Sequence, residues 1–165
     1  LYWDRARTEW SWTHGQVEMA TLALDPNTFI GEHLTEAAAL GSTAHEAASI
    51  GHVHLSVGDV ATARTFYVDA LGFDATAALG NQALFVSAGG YHHHMAMNVW
   101  NSRGAGPRMP ALGLGRIDLV LPDRDALGEI GERLAHHGFA VRDDGRTLSF
   151  DDPWSNALHA VASGR

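Results

Sequence analysis

The sequence predicts an α+β fold in which two βαβββ modules pair as a curved, cupped mixed sheet around a central site, preceded by an N-terminal arm. Three observations predict it. Gly51-His-Val-His-Leu-Ser-Val-Gly-Asp59 aligns without a gap on Gly115-Arg-Ile-Asp-Leu-Val-Leu-Pro-Asp123, and an internal repeat outweighs any single motif. Each copy alternates apolar and polar residues as a half-buried strand does, then passes an aspartate into an amphipathic helical stretch. Each helix is followed by three short strand candidates.

Residues 1–48 read as an arm or linker, and 49–165 as the paired domain, with modules at 50–100 and 115–162. The arm lacks sustained periodicity and carries Trp3, Trp10 and Trp12 within a dozen residues. Pro26 follows Asp25, and a helical stretch from about Thr28 to Leu40 has apolar Phe29, Ile30, Leu34 and Ala38. Gly41-Ser42-Thr43 reads as a linker. The opening Leu1-Tyr2-Trp3 resembles the end of a strand, so the chain is expected to be part of a longer polypeptide or one whose beginning was removed.

In the first module, Val53, Leu55 and Val57 share one strand face, and His52, His54 and Ser56 share the other. Asp59 can cap a helix over about 60–71, with Ala63, Phe66, Tyr67, Ala70 and Leu71 as its apolar stripe and Gly72 as its stop. Strand candidates follow at 73–79, 82–87 and 91–100. Residues 101–113, rich in Gly and Pro, link the copies. The second module repeats the order: a strand from Gly115 to Leu121, a helix near 124–137 closed by Gly138, and strands near 139–143, 146–151 and 156–162.

Composition narrows the function. The formal charge of −8, with only 11 scattered Lys and Arg residues, argues against a nucleic-acid partner. No apolar run approaches the roughly 20 residues that span a bilayer, which argues against a membrane partner, and the lack of cysteine is compatible with a cytoplasmic location. The absence of cysteine excludes thiolate metal sites, disulfides and cysteine nucleophiles. Eleven histidines stand out, because imidazole is the commonest protein metal ligand.

Polar groups on the inward face of a small sheet are costly unless they meet ligand, water or metal. The first module presents His52, His54 and Ser56 there, and the second presents Arg116, Asp118 and Val120. In the strand candidate 91–100, Met95, Met97 and Val99 share one face and suit the helix side. On that parity His94, Asn98 and Trp100 face the concavity, and His93 points away. His159, between Leu158 and Ala160, also faces inward. Three neutral imidazoles from different strands, His52, His94 and His159, are thus the expected ligands of a divalent metal, with Fe first and Mn, Zn or Ni as alternatives. His54 and His93 are candidates to move protons, Arg116 to pair with an anionic substrate oxygen, and Asn98, Trp100 and Asp118 to touch substrate.

Gly51-His52, Gly58-Asp59 and Phe66-Tyr-Val-Asp-Ala-Leu-Gly-Phe73 resemble the opening strand and helix of the vicinal oxygen chelate superfamily of glyoxalases, bleomycin-resistance proteins and extradiol dioxygenases. Asp152-Pro-Trp-Ser-Asn156 resembles its turn before the last strand. Phe85 to His94 with Asn98-Val-Trp-Asn101 is similar to catechol-2,3-dioxygenase-like proteins, with this chain corresponding to their C-terminal half. The resemblance implies iron ligands at His52, Arg116 and His159, where the family pattern expects His, His and Glu. Arginine cannot ligate, so the ordinary site is not encoded there. Glyoxalase-type members add a ligand from the last strand of the first module, here His94, and a tyrosine frequent in the family is replaced by Ser149.

The expected function is therefore a metal-dependent enzyme of the dioxygenase or glyoxalase type, acting on a small substrate with vicinal oxygens such as a catechol. The competing readings are a non-catalytic binding or resistance protein of the same fold and a degenerate half serving assembly. The expected partners are a small-molecule substrate and either a second copy in a homodimer or the missing N-terminal half, because the arm's tryptophans and an open sheet edge need cover.

Overall fold

The computed structural model describes residues 5–20, 22–34 and 50–164. Leu1 to Trp3, the end of the expected arm helix through Ala38 and Leu40, and the linker Gly41-Ser42-Thr43 lie outside the described residues.

Within the arm, a 3-10 turn (Arg7–Glu9) leads to a small hairpin of β1 (Trp12–Thr13) and β2 (Gln16–Val17). The hairpin turns through His14 and Gly15, both at positive φ. Helix α1 (Pro26–His33) starts with Asp25, whose side chain accepts from Asn27 N–H, and with Pro26 at its first position.

The first module runs β3 (Val53–Ser56), α2 (Val60–Arg64), a π-helical turn (Thr65–Ala70), β4 (Asp74–Leu79), β5 (Ala83–Ser87) and β6 (Met95–Asn98). The second runs β7 (Ile117–Leu121), α3 (Arg124–His136), β8 (Val141–Asp143), β9 (Thr147–Asp151) and β10 (Ala157–Ala162). The sheets are ordered β3-β6-β5-β4 and β7-β10-β9-β8. In each, the first and last strands pair in parallel and the rest antiparallel, so the sequence repeat is a repeat of topology. Asp59 and Asp123, equivalent in the repeat, cap α2 and α3 in the same way, accepting from Thr62 N–H and Ala126 N–H. The first helix departs from expectation after Arg64. Its turns widen, Leu71 N–H donating to Phe66 C=O five residues back, and Phe66, Tyr67 and Ala70 are all buried.

One core joins both modules. It takes Leu55, Met95, Met97, Leu84 and Val86 from the first sheet, Ile117, Leu148, Phe150, Leu158 and Ala160 from the second, and the helix residues between. Phe66 sits at its centre, edge-on to Tyr67 and Phe139. Polar contacts lock the modules as well. Arg133 of α3 donates to the carbonyls of Ala70 and Leu71 that end the first helix. Tyr67 O–H donates to Asp152, whose carboxylate also accepts from Trp154 N–H, Asn156 N–H and the Asn156 side-chain amide. That hub is the physical content of the Asp152-Pro-Trp-Ser-Asn156 turn.

The link between modules is a strap. Ser102 Oγ–H donates to Val57 C=O, Gly104 N–H to Gly58 C=O, and Arg108 to Ser56 C=O, while Trp154 Nε1–H donates to Ala105 C=O. Gly58 is needed here, since a Cβ would strike Ala105 O and come within 2.8 Å of Trp154 Nε1.

The arm differs from expectation in part. Its apolar residues are expected to need cover from a partner, but Val17 is buried with Ala77, Ala83, Phe85 and Ala96 on the open face of the first sheet, and Trp10 packs against them. Trp12 stays exposed. The open face of the second sheet carries no such cover from the described residues, and Val120 there is 70% exposed.

Candidate functional site

The loop Gly89 to His94 builds the site. Gly89 and Gly90 both adopt positive φ, which turns the chain after β5. Ser87 Oγ–H donates to Tyr91 C=O, and Thr76 Oγ1–H donates to His92 C=O at 2.5 Å. Backbone pairing resumes only at His94, whose N–H donates to Val86 C=O and whose C=O accepts from Val53 N–H, so strand parity does not govern residues 91–93. His93 therefore points inward, where the parity argument turned it away. It is 6% exposed and packs against Phe85.

His93 meets the first strand of its module there. Its Nε2 lies 3.3 Å from His54 Nε2, and its ring centroid is 4.4 Å from that of His52. Nδ1 of His93 lies 2.7 Å from His92 Nδ1. His52, just before β3, is half-buried and His54 is exposed, so the cluster opens to solvent on one side. Burial, and after it the neighbouring imidazoles of His92, His52, His54 and His94, holds the pKa of His93 down to about 3. His93 is thus neutral at any physiological pH, with a lone pair available for ligation.

Among the described residues, His52, His54 and His93 form the group that could hold a metal, each offering one ligand atom within 4.8 Å of the others. The fit can be tested. Tetrahedral coordination with metal–nitrogen bonds of about 2.0–2.1 Å separates two donor nitrogens by about 3.3–3.4 Å. The His54–His93 pair stands at 3.3 Å. Three imidazoles without carboxylate or thiolate suit Zn, Fe, Ni or Cu.

The other expected ligands go elsewhere. His94 stacks on Tyr91 and accepts from Ala88 N–H through Nδ1, and burial lowers its pKa. His159 is on β10 opposite Asp118, its Nδ1 4.0 Å from the Asp118 carboxylate. Arg116 pairs with the same carboxylate at 2.9 Å, both side chains being largely exposed. The expected set His52, His94 and His159 is therefore not the set brought together: only His52 remains, joined by His54 and His93. Asn98 ends β6 half-buried, its side-chain oxygen 3.4 Å from Trp100 N, and Trp100 is 56% exposed. The signal that could have placed His93 is Gly89-Gly90, a turn directly before the histidine run.

A model of the Glyoxalase/Bleomycin resistance protein/Dioxygenase superfamily matches residues 49–158. The chain belongs to this superfamily. It is 37% identical over 160 residues to catechol-2,3-dioxygenase of Bacillus subtilis (strain 168), across 95% of this chain and 55% of that one. The chain thus spans about half the length of the curated relative it matches. Solved structures of the same fold include a glyoxylase/bleomycin resistance protein/dioxygenase domain from Frankia sp. EAN1pec (TM-score 0.56, 20% identity, covering 72% of this chain and 95% of that one). Another is lactoylglutathione lyase from Agrobacterium tumefaciens (TM-score 0.53, 19% identity, 72% and 96%). A third is the fosfomycin resistance protein FosX from Mesorhizobium loti (0.52, 17%, 72% and 92%). At these identities the structures establish the superfamily fold alone.

Proposed function

We propose that this superfamily member is a metal-dependent enzyme of the dioxygenase or glyoxalase type, acting on a small substrate with two neighbouring oxygens, and that a catechol is the first class to test. The observation that carries it is the 3.3 Å approach of His54 and His93 Nε2 beside His52, a spacing that suits two nitrogens of one coordination sphere. His52, His54 and His93 would hold the metal. When bound, a divalent metal supplies Lewis-acid polarisation of the substrate oxygens, and iron adds the redox capacity that ring cleavage with dioxygen requires.

The chain's own residues supply the rest. Phe85 and Ala96 wall the cluster with apolar surface and limit water. His93, neutral and buried, presents a lone pair from a fixed position. The exposed side of His54 is the approach for substrate, with Asn98 at the end of β6 and Trp100 in the turn after it as candidate contacts. On the second module Arg116, held by Asp118 with His159 behind it, is the cation available to an anionic substrate group. The all-imidazole donor set favours a second reading, Lewis-acid chemistry of the glyoxalase type with Zn or Ni in place of Fe. We also propose a cytoplasmic location and association through the uncovered face of the second sheet, with a second copy or with the additional half that longer relatives carry. Among the described residues no helix is long and apolar enough to cross a membrane.

The test is metal analysis of untagged protein, followed by anaerobic loading with Fe(II), Mn(II), Zn(II) or Ni(II) and oxygen-uptake assays with catechols. Stoichiometric metal and oxygen consumption with Fe(II) support the first reading. Stoichiometric Zn(II) or Ni(II) without oxygen uptake supports the second, and failure to bind any of the four removes both.

A further inference from the structure

His92, which the proposed ligand set does not use, touches the site through one atom. Its Nδ1 lies 2.7 Å from His93 Nδ1, on the side of the His93 ring away from His54. A nitrogen–nitrogen contact that short contains one proton, because two lone pairs repel and two N–H groups clash. If His93 ligates through Nε2, its proton must sit on Nδ1 and point at His92. His92 must then receive it on a bare Nδ1 and carry its own proton on Nε2.

The ring of His92 is held for this. Its carbonyl accepts from the buried Thr76 hydroxyl. The ring meets the edge of Trp10 with centroids 4.7 Å apart and planes at 87°, and it lies against Tyr91 at 4.3 Å. Trp10 is fixed in turn by its indole N–H donating to Arg5 C=O, and Arg7 donates to both Gly89 and Gly90 carbonyls. The arm thereby clamps the same loop that presents the histidines.

We infer that His92 is a positioning residue, which accepts the Nδ1 proton of His93 and so fixes the tautomer whose Nε2 lone pair faces His52 and His54, and that Trp10 of the arm holds His92 in place. The inference rests on the metal reading above. Ligating histidines generally give their second N–H to a carboxylate, carbonyl or water. An imidazole in that role orients the ligand without adding negative charge to the site.

The test uses the full chain with Zn(II), measured by competition against a chelator, for wild type, His92→Phe and His92→Asn. Phenylalanine keeps a ring and removes the acceptor, whereas the asparagine oxygen falls near the place of Nδ1. Loss of an outer partner of a ligating histidine weakens metal binding by about 10–100-fold, the effect expected for His92→Phe, with substantial recovery in His92→Asn. Long-range nitrogen–proton NMR of the zinc-loaded wild type should find the His93 proton on Nδ1 and the His92 proton on Nε2, a readout that needs no variant to fold. A His92→Phe protein that binds like wild type, or an asparagine variant no tighter than the phenylalanine one, overturns the role of His92 alone, whereas a His93 proton on Nε2 overturns it and also removes His93 Nε2 from the ligand set. A wild type that takes up no zinc overturns the metal reading and this inference with it.

Discussion

Replacing Asp152 by alanine should destabilise the protein severely, because one buried carboxylate ties the modules together. Asp152 is 4% exposed and accepts four hydrogen bonds, from Tyr67 O–H, Trp154 N–H, Asn156 N–H and the Asn156 amide. Tyr67 is fully buried, and without Asp152 its hydroxyl loses its partner in a space closed to water. A buried donor left unsatisfied costs about 1–3 kcal/mol. Charging Tyr67 and the Asn156 amide in full, and letting the turn's backbone N–H groups find water, gives about 2–6 kcal/mol. With an m-value of about 2 kcal/mol/M, the urea midpoint falls by about 1–3 M. A double-mutant cycle with Tyr67→Phe, read by urea unfolding, should show coupling of about 1.5–3 kcal/mol, the range for a hydrogen bond to a charged group. A loss below about 1 kcal/mol in Asp152→Ala, or no coupling, would refute the hub.

Burial, and after it the Asp152 charge, raises the pKa of Tyr67 well above its ordinary value, so its stabilisation is complete below about pH 10 and is lost as pH rises further; Tyr67→Phe should flatten the alkaline limb of the stability curve. The sign is opposite for His93 in the metal-free protein. Its folded pKa is depressed to about 3 from 6.5, so its contribution is intact above pH 6.5 and is lost as pH falls from there toward 3. Urea unfolding across that window should show a steeper acid loss in wild type than in His93→Phe. Gly58→Ala should displace the strap at Ala105 and lower the melting temperature, and a variant with wild-type melting would show that the strap approaches less closely.

The fold was legible because its determinants are local and repeated. Alternation at 53–57 and 117–121, equivalent aspartate caps and glycine stops dictated both modules, and the buried faces of Met95, Met97, Leu158 and Ala160 followed from period two. The site was legible only in part. His52 and His54 lie in or beside a regular strand and were placed on the correct face. His93 is misdirected when parity is carried back through 91–93, where two positive-φ glycines and side-chain bonds from Ser87 and Thr76 hold the chain until the ladder resumes at His94. The widened helical turn at 65–70, where the adjacent aromatics Phe66 and Tyr67 are both buried, leaves no period in the sequence. The seat of Trp10 on Tyr91 and His92 is a long-range contact that no local pattern encodes.

The most direct test of the proposed centre is a crystal structure of the zinc- or iron-loaded chain, with anomalous diffraction recorded at the metal's absorption edge. The account predicts one strong peak about 2.0–2.2 Å from ring nitrogens of His52, His54 and His93, with the rings of His94 and His159 turned elsewhere. A peak held by His159 and Asp118, or none near the three histidines at full metal loading, would contradict it.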